Sequence, residues 1–328
     1  MASTNAGTRQ NTVGYICYLL LEEPRSGKHM SVITNSVLTK EKLSTTLKKY
    51  VEALNWLDSK GFNIGPSRLK RYQTHYESLI HNWGNETILE IVTNKNYASA
   101  IYEAYEVIEI KDKLEEIECK EVYESLKKSL SGVELYSDEL SIAKPSSARN
   151  FSFELYMARY FKRAGYDLNF NTIADFNAHN AEDSIFVECK RPAKEETVGK
   201  NIENALKQSM KRFIENDCRN QKGVAAIDLT ALINPNLNFL VTDDINAVPA
   251  ILKKSDNESS PEVKRHFDKY GEHCISVMFH WRVPVLHLKE ETVGLYERCF
   301  SVPIFKSGTS SEEVFYRSNN ELVRSVGL

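Results

Sequence analysis

The 328-residue chain has no CxxC pair and no apolar run of membrane-spanning length. Its six cysteines, Cys17, Cys119, Cys189, Cys218, Cys274 and Cys299, are separated by long and irregular gaps. That spacing excludes a clustered zinc site and a disulfide framework, and it predicts mostly buried thiols in a reducing cytoplasm. The first eleven residues lack the basic start and apolar core of a secretory signal. A soluble cytoplasmic protein is therefore expected. Glycine and proline are sparse, 14 and 9, which excludes collagen-like and low-complexity sequence. Neither GxGxxG nor GxxxxGK[ST] occurs, so no phosphate-cradling loop is expected. Charge of one sign is also missing. The 42 Lys and Arg against 45 Asp and Glu leave −3, which is no broad footprint for a polyanion.

What is there divides into two parts. Residues 13–21 and 30–34 are apolar and β-branched around a turn cluster at 23–28, which predicts a β-hairpin. From 38 to 130 the period is helical. Leu43, Leu47, Tyr50, Leu54 and Leu57 mark a first helix that closes at Gly61, and Leu69, Tyr72, Tyr76 and Leu79 mark a second. A third run, 97–130, carries nine acids and three lysines between Glu103 and Glu124, a local −6. It reads as a solvated face, with a docking surface for a basic partner as the sharper alternative. Lys60, Arg68, Lys70 and Arg71 lie among Tyr72, His75 and Tyr76. They fit nucleic-acid contact, and fit an ordinary amphipathic helix better. A connection at 132–145 separates a domain over 1–140, of unassigned role, from one over 146–328.

The second part reads as an α/β domain with a central mixed sheet flanked by helices. A helix over 146–164 precedes strands at 166–169, 173–177 and 184–189, then a helix at 196–215 and a strand at 223–232. Ile275, Val277, Phe279 and Trp281 alternate on one side of a strand over 274–281, which Pro284 should break or place at an edge. Residues 292–305 read as a strand pair. His273, His280 and His287 match no zinc spacing, and His280 with Arg282 is expected on an exposed face.

Three carboxylates stand out. Glu154 falls in the apolar stripe of Phe151, Leu155, Ala158 and Phe161, a costly place for a charge without a partner. A Glu at the edge of the stripe, or one paired with Arg159, would relieve that cost. Glu188 and Lys190 end an apolar strand and share one face. Asp175 lies thirteen residues before Glu188 in a neighbouring β-like segment, while its rival Asp183 reads as part of a turn. Oxygen donors of this kind suit Mg²⁺ or Mn²⁺. The expected ligands are Asp175, Glu188, the main-chain carbonyl of Cys189, and Glu154 directly or through water. Lys190 would orient a water or stabilise charge on a phosphate.

Glu154, then Asp175, then Glu188-Cys189-Lys190 resemble the PD-(D/E)xK nucleases, whose fold is restriction-endonuclease-like. The resemblance covers about residues 146–232, with Ala174 where the motif has proline. It implies a core of helix, three strands, helix and strand, and Mg²⁺-dependent hydrolysis of phosphodiesters in DNA. Asp175, Glu188, Lys190 and Glu154 then take the catalytic roles. It also implies a homodimer, as in many relatives, and a part for Gln208 in holding the site. The N-terminal helices would recognise substrate or a protein partner. RNA as substrate and a catalytically silent binding module of the same fold are the alternatives. From Lys190 to Arg212 there are seven basic and three acidic residues, a local +4. Arg191, Lys194, Gln208 and Arg212 are the expected contacts to nucleic acid.

Overall fold

The computed structural model describes residues 33–135, 138–139, 148–171, 174–215, 217–244, 266–290 and 292–326. The first arm of the expected hairpin lies outside them. Its second arm opens β1 (Ile33–Lys42), which pairs antiparallel with β8 (Thr292–Pro303), Ile33 opposite Ser301.

Helices follow where the apolar period is three to four. They are α1 (Leu43–Ser59), α2 (Arg68–Asn82), α3 (Ile88–Thr93), α4 (Lys95–Leu114) and α5 (Lys120–Ser129). Ser67 caps α2 by accepting from Lys70 N, and Thr87 with Glu90 forms a capping box on α3. The acidic run is thus two helices, and its inner part is not a solvated face. Glu103 and Glu106 are buried, because α4 is packed by α1, α2 and α6 (Ala148–Arg163) and touches the sheet. Of the basic residues of α2, Arg68 turns inward, while Lys70 and Arg71 stay exposed. Arg68 is 1% exposed, and Arg71 and His75 both meet Glu134.

After α6 come β2 (Asp167–Asn169), β3 (Phe176–His179) and β4 (Asp183–Lys190), an antiparallel meander. A single 3₁₀ turn leads into α7 (Val198–Met210), which crosses to β5 (Asn220–Asp228), parallel to β4. The order of helix, three strands, helix and strand read from the sequence is the order observed. Short α8 (Thr230–Ile233), β6 (Leu240–Thr242) and α9 (Phe267–Tyr270) precede β7 (Cys274–His287), and α10 (Ser310–Val326) follows β8.

One mixed sheet results, with strands in the order β1-β8-β7-β5-β4-β3-β2, and β6 pairs separately on β7. Two apolar layers cover it. Residues of α1, α2, α4, α6 and α10 share one core cluster with Ile185, Val187, Cys189 and Val224. Ile202, Ala205 and Leu206 of α7 pack on Ala225, Ile227, Val277 and Phe279 of the other face. Each fully buried Val, Ile, Leu or Phe among them contributes about 1.5–3 kcal/mol. No helix among the described residues is long and apolar enough to cross a membrane.

Three sequence expectations change here. Ile275 does not share a face with Val277, Phe279 and Trp281. Val224 aligns with Ser276 directly after Gly223 aligns with Cys274, so Ile275 is an extra residue that turns to the other core. Pro284 does not end the strand. Arg282 N bonds Thr230 Oγ1, away from β8, and residue 284 presents its nitrogen on the same side. There β5 pairing has stopped at His280 and β6 pairing begins only at Val285, so no ladder bond is lost. Finally, 292–303 is one strand rather than two.

Candidate functional site

The side chains singled out in the sequence meet at the end of β4. An apolar run, Ile185, Phe186 and Val187, carries the strand through the centre of the sheet, and Glu188 and Lys190 close it. Val187 and Cys189 belong to the α6-side core, so the intervening Glu188 emerges on the α7 side. Its Oε2 accepts from Lys190 Nζ at 3.2 Å, and its Oε1 lies 3.5 Å from Arg212 Nε just past the end of α7. Phe176 stands opposite Val187, so one more step of register sets Asp175 opposite Glu188. Asp175 Oδ2 accepts from Cys189 N at 2.6 Å. Cys189 thus enters the site through its N–H, while its thiol is buried and held well above its ordinary value by that burial.

Glu154 comes from α6, on the other side of the sheet. Arg159, its suggested partner, is used elsewhere: it binds both oxygens of Glu297 at 2.9 Å and stacks on Tyr156 and Tyr160. Burial, then the charges of Asp175 and Glu188, raise the Glu154 carboxyl to about 8 against relief from Lys190. Burial also raises Asp175, against Lys190, the Cys189 N–H and Arg212. Burial and then Asp175 raise Glu188, against Lys190 and Arg212. All three carboxyls are therefore short of positive charge.

Among the described residues no three His, Cys, Asp or Glu side chains stand close enough together to hold an ion as they are. The donor chemistry does suit a hard dication. Asp175 disfavours the charge of both Glu154 and Glu188, Glu188 disfavours that of Glu154, and Glu188 Oε1 is buried without a hydrogen bond. Gln208, one helical turn before Arg212, also has a buried amide oxygen without a hydrogen-bond partner.

The expected polyanion contacts separate. Lys194 is exposed. Arg191 is turned inward instead. Its Nε donates to Asp228 Oδ2 at 2.9 Å, and its Nη1 lies 3.8 Å from Glu139. Burial opposes the charge of Asp228, yet His280 and Arg191 hold its carboxyl far below the usual range. Asp228 was missed in the sequence although it bears the signal that marked Glu188, a carboxylate ending an apolar strand. Asp183 is in β4 rather than a turn, and Arg317 pairs with it at 2.7 and 3.0 Å. His280 and Arg282, expected outside, are 0% and 1% exposed. His280 Nε2 donates to Glu297 Oε1 at 2.7 Å, and Arg282 binds Glu106.

The raised Glu154 has a measurable consequence. A carboxyl whose value is higher folded than unfolded contributes stability below about 4.5 that is lost as pH rises through about 8. Glu154→Gln should therefore raise the Tm of the ion-free protein at pH 8.5 and leave it nearly unchanged at pH 4.5. The expected gain is about 2 kcal/mol, discounted because the side chain is only partly buried. Equal shifts at both pH values in thermal melts would contradict it.

No protein-family model, curated protein or solved structure matches the chain.

Proposed function

We propose that the protein is a divalent-metal-dependent nuclease that hydrolyses phosphodiester bonds of DNA, with a restriction-endonuclease-like core over about 146–232. One observation carries the reading. Asp175, one residue before β3, is held beside Glu188 by the Cys189 N–H, and Glu188 shares its face with Lys190 at the end of a central strand. The meander β2-β3-β4, the α7 crossover and the parallel β5 supply the core order that the resemblance implies.

Asp175 and Glu188 would hold Mg²⁺ or Mn²⁺, with the Cys189 carbonyl and Glu154 as further donors. A bound ion supplies Lewis acidity toward a phosphoryl oxygen and a more acidic water. The Lys190 ammonium stabilises negative charge as it builds on the phosphate, and its tie to Glu188 fixes its position. Lys194, and Arg212 once free of Glu188, hold the backbone of the nucleic acid. Arg191 anchors the strand end on Asp228 rather than contacting phosphate. A cytoplasmic role in defence, repair or a mobile element fits such an enzyme.

A second reading is a binding module of the same fold that does not cleave. That no three donor side chains among the described residues stand close enough together to hold an ion favours it. The two separate on incubation of the purified chain with supercoiled, linear and single-stranded DNA and with RNA, in Mg²⁺, Mn²⁺ or EDTA. Cleavage of DNA that EDTA abolishes is expected. Intact substrates in every metal, with retained binding, would leave the binding module.

A further inference from the structure

We infer that Arg212 is an internal stand-in for the divalent ion, seated on Glu188 while no ion is bound and released toward the substrate phosphate when an ion displaces it. This rests on the nuclease reading and adds to it a coupling between ion uptake and substrate grip.

The geometry is that of a contact made to be exchanged. Arg212 Nε lies 3.5 Å from Glu188 Oε1, and neither atom has a hydrogen-bond partner although both are buried. Other guanidiniums in this fold are tied far more firmly. Arg149 donates to Glu103, Glu139, the Tyr72 hydroxyl and the Glu134 carbonyl, and Arg191 donates to Asp228. Arg212 has charge attraction without the directed bonds that would make it permanent.

Its mounting suits the exchange. The main chain at Arg212 is fixed, since its N–H donates to Ser209 O at 3.1 Å as α7 closes. The end of a helix favours a cation there whether or not Glu188 is engaged. The side chain is 22% exposed, so a route to solvent is open. The guanidinium also favours the charged forms of both Asp175 and Glu188, the pair that would share an ion. A divalent ion between those carboxylates would take over that neutralisation and repel Arg212. The planar fork then meets a phosphate bidentately, which it cannot do while it faces Glu188.

The test is calorimetric titration of the full chain with Mn²⁺, without nucleic acid, for wild type, Arg212→Ala and Arg212→Lys. Arg212→Ala should bind Mn²⁺ about tenfold tighter, and Arg212→Lys should stay near wild type. Arg212→Gln keeps more of the stem and replaces alanine if circular dichroism shows that α7 is disturbed. Duplex DNA binding is then read by fluorescence anisotropy with and without Ca²⁺. The gain in affinity that Ca²⁺ gives the wild type should shrink about fivefold in Arg212→Ala. Equal or weaker Mn²⁺ binding by Arg212→Ala overturns the exchange and leaves the nuclease reading standing. Absence of Mn²⁺ binding in all three proteins overturns both.

Discussion

Glu188→Ala is expected to lower DNA hydrolysis on the order of 10³-fold or more, and Lys190→Ala about 10²–10³-fold. The two losses should differ in kind. Glu188 would hold the ion, so its removal should weaken Mn²⁺ binding as well as turnover. Lys190 would stand beside the phosphate, so its removal should spare ion binding and act on kcat more than on KM. Neither loss should come from unfolding. Burial and Asp175 already disfavour the charge on Glu188, so deleting its carboxyl costs the fold little. Lys190 is partly exposed, and its end can reach water. Initial rates on a linear duplex, with Mn²⁺ titrations and thermal melts of the same preparations, separate these effects. Variants that cleave like the wild type would remove the basis of the proposed mechanism.

Glu103→Ala should destabilise the protein by about 3–5 kcal/mol, the usual cost of removing one partner from a buried ionic cluster. Glu103 is 1% exposed between Arg68 Nη1 at 2.5 Å and Arg149 Nε at 2.8 Å. Its loss leaves two guanidiniums in the core with less counter-charge. Burial opposes ionisation of Glu103, but the two arginines win and bring its carboxyl to about 2. The sign of the pH dependence follows. A carboxyl lowered on folding contributes stability above about 4.5 that disappears as pH falls through about 2. Urea unfolding should therefore show wild type and Glu103→Ala far apart at pH 7 and converging toward pH 2. A gap independent of pH would mean that Glu103 acts through packing alone.

Glu188 and Lys190 were legible in the sequence because their signal is local: an apolar strand that ends in two charges two residues apart. Asp175 was legible through its short distance in sequence and a register of hairpin type. Glu103 was not. Its counter-ion Arg149 is 46 residues away, and a charge pattern within one helix cannot report a partner on another. His280 failed for the same reason. Alternation put it opposite an apolar face, which normally means solvent, but α6 covers that face with Phe153, Tyr156 and Tyr160. The ion pair of Arg159 with Glu297 spans 138 residues. Arg191 was read as a contact to nucleic acid because it lies in a basic window of the sequence, and only the parallel pairing of β4 with β5 brings Asp228 beside it. Where a side chain's placement depends on neighbours in sequence it could be read, and where it depends on the stacking of layers it could not.

The pairing of β1 with β8 sets a timetable for the nascent chain. Lys42 leaves the ribosome about 260 residues before Pro303, its partner strand's last residue. At 5–20 residues per second, the first described strand waits roughly 15–50 s with its edge unsatisfied. The helices α1 to α5 emerge next and can form locally during that interval. The strand that is made early is thus among the last to find its place, and slowing the elongation of the final third of the chain would lengthen its exposure to wrong partners.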